Sequence, residues 1–328
     1  MKIFFYCLRD FDELPCCEKC SAETGIAFAH APFYPSAENY RLVQGCEAVS
    51  VIPCDMSAPV LREFSALGVK YILCRSIGYD HVDLAEAKRL GLRVANVSYP
   101  PTGVAAYAVM LMLMGCRRIT ALLRQAEMQN FTLKGKIGLD LAACTVGVIG
   151  TGQIGTAVIR ALSGFGCRIL AHDPWKNPAA QSMAEYVSLE RLLEEADIIS
   201  LHTNATAENH HLLGAAAFAR MKKGVIIVNT ARGKLIDTAA LIDALEEKKV
   251  GFAALDVLEK EDGLYYYDRT GDAIANREMA VLRSFPNVIL SPHTAFYTQS
   301  AVENMVRLCF LNARDFAGGG KCGHEIMV

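Results

Sequence analysis

Short apolar runs punctuate the chain, and most are followed by a stretch with helical spacing. KIFFYC, AVSVIP, KYILCR and RVANV lie in the first hundred residues; TVGVIG, RILAHD, IISLH, GVIIVN, FAALDV and NVILSP come later. Runs with no polar alternation are what strands look like when both faces of the sheet are covered. Between them, SLERLLEEA and TAALIDALEEKK space their apolar residues by three and four, the mark of helices with one buried face. This alternation predicts an α/β fold of parallel sheets with helices on both sides. Ten strands are too many for one compact unit of ordinary size. They divide into four before a long apolar helix and six after it.

That helix, VAAYAVMLMLMGC, runs from Val104 to Cys116 and stops at Arg117 and Arg118. A bilayer span takes about twenty residues, so this reads as a buried core or subunit-contact helix, and no membrane partner is expected. Near the end, SAVENMVRLCFLNARDF has the spacing of another long helix. It either returns to the first unit, making that domain discontinuous, or closes the second.

Composition narrows the picture. With 52% hydrophobic and 21% charged residues, the 328-residue chain has material for two real cores and too little charge for disorder. A net charge of −2 and the lack of a basic run argue against a nucleic-acid partner. Twelve cysteines are scattered, several of them inside apolar runs. The opening MKIFFYCLRD meets charge at Arg9 and Asp10 and has no small-residue cleavage site. Free thiols in a reducing cytoplasm are therefore expected. Cys16, Cys17 and Cys20 in PCCEKC lack the second cysteine pair of a structural zinc site, so no metal is expected there.

VGVIGTGQIG carries the first chemistry. Gly150, Gly152 and Gly155 form G-x-G-x-x-G between an apolar strand and an amphipathic helix. The first glycine makes the turn, the second admits a pyrophosphate, and the third lets helix and strand pack closely. The following strand ends in Asp173, eighteen residues past Gly155. An acid there accepts hydrogen bonds from a ribose and repels a 2′-phosphate, which favours NAD over NADP.

Ligands of open parallel sheets bind beyond the carboxyl ends of the strands. At those ends stand Thr203 and Asn204, then Thr230, Ala231, Arg232 and Gly233, then Asp256 with Glu259 and Glu261, then His293. Reduction of a 2-oxo acid needs a hydride at carbon and a proton at oxygen. A histidine can donate and recover the proton, a carboxylate beside it favours its charged form, and an arginine fits the substrate carboxylate. Spacing alone does not choose between Glu259 and Glu261.

RSIGYDHVDL, VGVIGTGQIG, NTARGKLIDTAAL, ALDVLEKEDGLYYYD and PNVILSPHTAFYT together resemble the D-2-hydroxyacid dehydrogenase family over nearly the whole chain. DVLEKEDGLYYYD and the ending GGKCGHEI are most similar to its D-lactate dehydrogenase branch, which includes vancomycin-resistance D-lactate dehydrogenases and (R)-2-hydroxyisocaproate dehydrogenases. The resemblance implies two doubly wound parallel-sheet domains, a Rossmann NAD-binding domain (101–296) inserted into a flavodoxin-like substrate domain (1–100 plus 297–328). It implies Arg232, Glu261 and His293 as the catalytic set, and so selects Glu261. It implies substrate binding at Ile77, Gly78 and Tyr99. Cofactor contacts are implied at Gln153, Ile154, Asp173, Thr203, Asn204, Asn209, Thr230, Ala231 and Asp256, beside the three glycines. Thr203–Asn204 departs from the Val-Pro often found there, and Phe296 stands where lactate enzymes often carry tyrosine. The implied substrate is a small 2-oxo or 2-hydroxy acid, and the implied assembly is a homodimer.

Two other readings share the motifs. A glycerate or phosphoglycerate dehydrogenase would draw on first-domain arginines such as Arg9, Arg41, Arg62 and Arg75. An NAD-sensing corepressor would usually carry a disordered extension, and no Pro/Ser/Gln-rich tail is present.

Overall fold

The computed structural model describes residues 1–261 and 263–326. Asp262 of the DVLEKEDGLYYYD motif, and Met327 and Val328 of the tail, lie outside the described residues. The chain divides into two compact units, Met1–Pro100 with Tyr297–Val328, and Pro101–Phe296.

The first unit holds β1 (Lys2–Phe5), β2 (Ala27–His30), β3 (Ala48–Val51), β4 (Tyr71–Cys74) and β5 (Arg93–Ala95). They pair in parallel in the order β2-β1-β3-β4-β5. The three central strands are almost wholly buried, as continuous apolar runs require. The tail becomes helix Gln299–Ala317, capped by the Thr298 hydroxyl, which accepts from Ala301 N–H. Its buried stripe of Val302, Met305, Val306, Cys309, Phe310, Ala313 and Phe316 packs on this same sheet and on helix Leu14–Thr24. Phe310 stacks on Phe5 of β1, with ring centroids 5.5 Å apart. The tail thus returns to the first unit.

A charged pair lies inside that unit. Arg75, 1% exposed, follows β4 and donates from Nε to Oε1 of the fully buried Glu13 at 3.0 Å. Its other donors reach Ser50 Oγ and the Tyr6 and Cys7 carbonyls. Burial of an ion is tolerated only when its hydrogen-bonding groups are satisfied in this way.

The second unit holds β6 (Thr145–Ile149), β7 (Arg168–His172), β8 (Glu185–Tyr186), β9 (Ile198–Leu201), β10 (Val225–Asn229), β11 (Val250–Leu255) and β12 (Val288–Leu290). All pair in parallel, in the order β12-β11-β10-β9-β6-β7-β8. Apolar cores cover both faces, one around Leu170, Ile199 and Ile227, the other around Val146, Ile198 and Val228. The apolar helix spans Thr102–Cys116 and packs on β10, β11 and helix Gln153–Ser163. Its hydrophobicity is accounted for by burial of eight residues within its own unit. Among the described residues no single helix is long and apolar enough to cross a membrane.

The sequence pattern missed β2 and β8. Both are edge strands with mixed exposure, so neither needs a continuous apolar run.

Candidate active site

The glycine turn joins β6 to helix Gln153–Ser163. Gly150 has φ +93°, and a Cβ there would lie 2.6 Å from the His202 carbonyl. Only glycine satisfies both constraints. At Gly152 a Cβ would meet no protein atom, so open space faces the helix N-terminus. No side chain caps that end, and its first N–H groups have no intrahelical partner, which suits a pyrophosphate. Gln153, Ile154 and Gly155 form the first turn of this helix.

Asp173 lies just past β7. Its Oδ2 accepts from Thr151 N–H at 2.6 Å, and its Oδ1 from Trp175 N–H at 2.8 Å. The carboxylate is therefore fixed beside the turn before any ribose arrives. Asn177 adds a strut that the sequence reading missed, donating to Thr151 O and Thr156 Oγ1. His202 is a second missed residue. It backs the turn, and its Nε2 lies 2.8 Å from Ser200 Oγ. Burial pushes its imidazole down to about 4.

The other strand ends behave differently from one another. Thr203 and Asn204 follow β9, and the Asn209 side chain pins their loop by donating to Asn204 O and accepting from Thr206 N–H. After β10, Thr230 carries a buried hydroxyl with no partner among the described residues, a ready contact for an incoming ligand. The buried Asn229 holds the next residues, accepting from Ala231 N–H and donating to Arg232 O. Arg232 is half-buried, and its Nη1 donates to Ala231 O. Gly233 lets this segment touch the Leu258–Glu259 backbone, where a Cβ would collide with the Leu258 carbonyl.

Asp256 is fully buried, and its carboxylate organises the loop that bears His293. Oδ1 accepts from Ser291 Oγ and Thr294 N–H, and Oδ2 from Ala295 N–H. The same residue's carbonyl accepts from His293 N–H. His293 adopts φ +53°, a conformation uncommon outside glycine. Its Nδ1 lies 2.7 Å from Glu261 Oε1, while Glu261 Oε2 accepts from Leu258 N–H. A carboxylate only accepts, so Nδ1 carries the shared hydrogen and Nε2 is left to exchange a proton. Glu259 faces elsewhere. It pairs with His211 Nε2 at 2.7 Å and accepts from Thr238. Burial pushes its carboxyl up, but those hydrogen bonds outweigh burial and hold it below the usual carboxylate range.

Ile77, Gly78 and Tyr99 belong to the first unit, beyond the carboxyl ends of the paired strands β4 and β5. The Ile77–Gly78 turn is half-exposed and tied down: Ser76 Oγ donates to Gly78 O at 2.6 Å, and Asn96 Nδ2 to Ile77 O at 2.8 Å.

A parallel sheet with a glycine turn, a His–Glu pair and an arginine at its strand ends is the frame expected of an NAD-linked oxidoreductase of small hydroxy acids. The sequence model of the D-isomer specific 2-hydroxyacid dehydrogenase NAD-binding domain matches residues 109–295. The chain belongs to the D-isomer-specific 2-hydroxyacid dehydrogenases and is NAD-dependent. It is 39% identical over 330 residues to an aromatic 2-oxoacid reductase of Clostridium sporogenes, covering 99% of both chains. It is also 39% identical over 330 residues to the D-lactate dehydrogenase of Escherichia coli, covering 100% of both. The crystal structure of a D-lactate dehydrogenase from Treponema pallidum superposes with a TM-score of 0.86 at 34% identity, covering 100% of both chains.

Proposed function

We propose that the chain interconverts pyruvate and D-lactate, or a longer 2-oxo acid and its D-2-hydroxy acid, with His293, Glu261 and Arg232 as the catalytic residues. The observation that carries this reading is the 2.7 Å contact between His293 Nδ1 and Glu261 Oε1. It leaves Nε2 to give a proton to the carbonyl oxygen in reduction and to take it back in oxidation. Arg232 holds the substrate carboxylate and polarises the carbonyl through its guanidinium. The family resemblance also assigns substrate binding within the first unit to backbone N–H groups of the Ile77–Gly78 turn and to the Tyr99 side chain. The bound nicotinamide supplies or accepts the hydride. Open space at Gly152 and the orphan hydroxyl of Thr230 support the cofactor's seat.

NADH oxidation against pyruvate, 2-oxobutyrate, 2-oxoisocaproate, phenylpyruvate and hydroxypyruvate tests the reading. A maximum at pyruvate or at one of the longer 2-oxo acids is expected, and no turnover on any of them overturns it.

The same reading includes a homodimer and a cytoplasmic location. Met128, Phe131, Leu133 and Ile137 lie on the surface of the single chain, Leu133 at 87% exposure. An apolar run of this kind suits a subunit contact. Sedimentation at twice the chain mass is expected. Among the described residues no disulfide is formed and ten of the twelve cysteines are buried, which suits a reducing compartment.

A further inference from the structure

One cavity of the second unit has none of the proposed catalytic or cofactor-binding residues in its lining. It has a volume of about 380 Å³ and is bordered by Arg124, Met279, Arg283, Ser291, Pro292 and Tyr265, among others. Arg124 comes from helix Ile119–Glu127 and Arg283 from helix Arg277–Ser284. Ser291 and Pro292 lead directly into His293.

Its polar groups bear on what it holds. Among the described residues, neither Arg124 nor Arg283 has a carboxylate within salt-bridge distance, although most other arginines of the chain do. Two unpaired guanidiniums on one cavity concentrate positive potential there. Tyr265 is 7% exposed, and its hydroxyl is buried with no hydrogen-bond partner among the described residues. A buried orphan hydroxyl is costly unless something supplies the missing partner. Glu261 and Asp256 act on Tyr265 through their charge, but their oxygens are taken up by hydrogen bonds to His293 and Leu258 and to the 291–295 loop, so neither accepts from its hydroxyl.

We infer that this cavity is a binding site for a small oxyanion, a carboxylate or a phosphate, distinct from the glycine turn and from Arg232. Guanidiniums suit such oxygens by charge and by their planar forks, and a phenol hydroxyl adds one neutral donor. An anion here would sit beside the Ser291–Pro292 step and the segment that follows Glu261. Occupancy would therefore bear on the loop that holds His293, which is the chemistry of a metabolite effector rather than of a substrate. The binding claim stands without the proposed catalytic roles; only the consequence for His293 rests on them.

The test is calorimetric titration of the NADH-saturated protein with inorganic phosphate and, separately, with succinate. Saturation with NADH keeps the probes off the glycine turn. One site is expected for at least one probe, and the tighter of the two identifies the ligand chemistry. Arg124→Gln and Arg283→Gln, both at exposed positions, should each weaken it about tenfold or more. Tyr265→Phe should weaken binding while leaving the thermal midpoint of the free protein unchanged or higher, since it removes an unpartnered hydroxyl. Arg232→Gln should leave the affinity unchanged. Loss of binding in Arg232→Gln with retention in Arg283→Gln would place the anion in the substrate site and overturn the inference. So would the lack of binding by either probe, or affinities indifferent to all three cavity variants.

Discussion

Glu259 and Glu261 are two residues apart and face different histidines: Glu259 meets His211, and Glu261 meets His293, each at 2.7 Å. The two carboxylates should therefore separate in kinetics. Glu261→Gln should lower the rate of 2-oxo acid reduction by about a hundredfold or more with NADH affinity retained. Glu259→Gln should leave turnover within a few-fold. Steady-state kinetics with NADH fluorescence titration reads both, and equal losses in the two variants would contradict the assignment.

Arg232 leaves its segment beside the Leu258–Glu259 backbone. Arg232→Gln should raise KM for the 2-oxo acid by about tenfold to a hundredfold and lower kcat, through loss of charge-assisted hydrogen bonds. NADH affinity should not change. A parallel loss of cofactor affinity would move Arg232 out of the substrate site.

Asp173 holds its carboxylate toward Thr151 and Trp175. Asp173→Ser should reduce the preference for NADH over NADPH, in kcat/KM, by about tenfold or more, because a like-charge repulsion is removed. If the preference persists, another group around the turn sets it.

Acid should act through His202. Its folded imidazole titrates at about 4, below the ordinary 6.5. Between those values the unfolded chain takes up a proton that the folded chain refuses. Its contribution to stability is complete above pH 6.5 and is lost as pH falls to about 4, by about 3 kcal/mol at most. His202→Asn should flatten the fall of the thermal midpoint between pH 6.5 and 4.5. Parallel curves for variant and parent would remove His202 as the cause.

The Arg75–Glu13 pair gives a stability prediction for the first unit. Arg75→Met leaves Glu13 buried without its main partner and should cost about 3–5 kcal/mol. Adding Glu13→Leu should recover most of that. Thermal unfolding of the single and double variants checks it, and a double variant no better than the single would mean the pair does more than neutralise itself.

Much of this was legible in the sequence because the residues involved punctuate strands. Each central strand is an apolar run, so its carboxyl end is visible, and Asp173, Arg232, Asp256 and His293 stand at or just past such ends. Edge strand β8 was not legible, since its two residues, Glu185 and Tyr186, make no apolar run; β2 carries only the short run IAFA, which periodicity does not separate from a helix end. The choice between Glu259 and Glu261 was closed to spacing because both belong to one acidic run; it turns on a loop geometry set by Leu258 N–H and by the φ of His293. The anchoring of the 291–295 loop by Asp256 was also hidden, because a buried carboxylate and a ligand contact look alike in a sequence. Arg75 gave no local sign of burial, as its partner Glu13 is distant in the chain.

The return of helix Gln299–Ala317 to the sheet that opens the chain has a consequence for biosynthesis. Strands β1 to β5 leave the ribosome roughly 200 residues before the helix that covers Phe5 and stacks over the sheet. At ordinary elongation rates that is a delay on the order of 10–40 s. During it Phe5, fully buried in the finished protein, lacks the Phe310 ring that stacks on it. The inserted domain can complete itself in that interval, but the domain begun first is finished last. The nascent first hundred residues thus wait longest for the last part of their core.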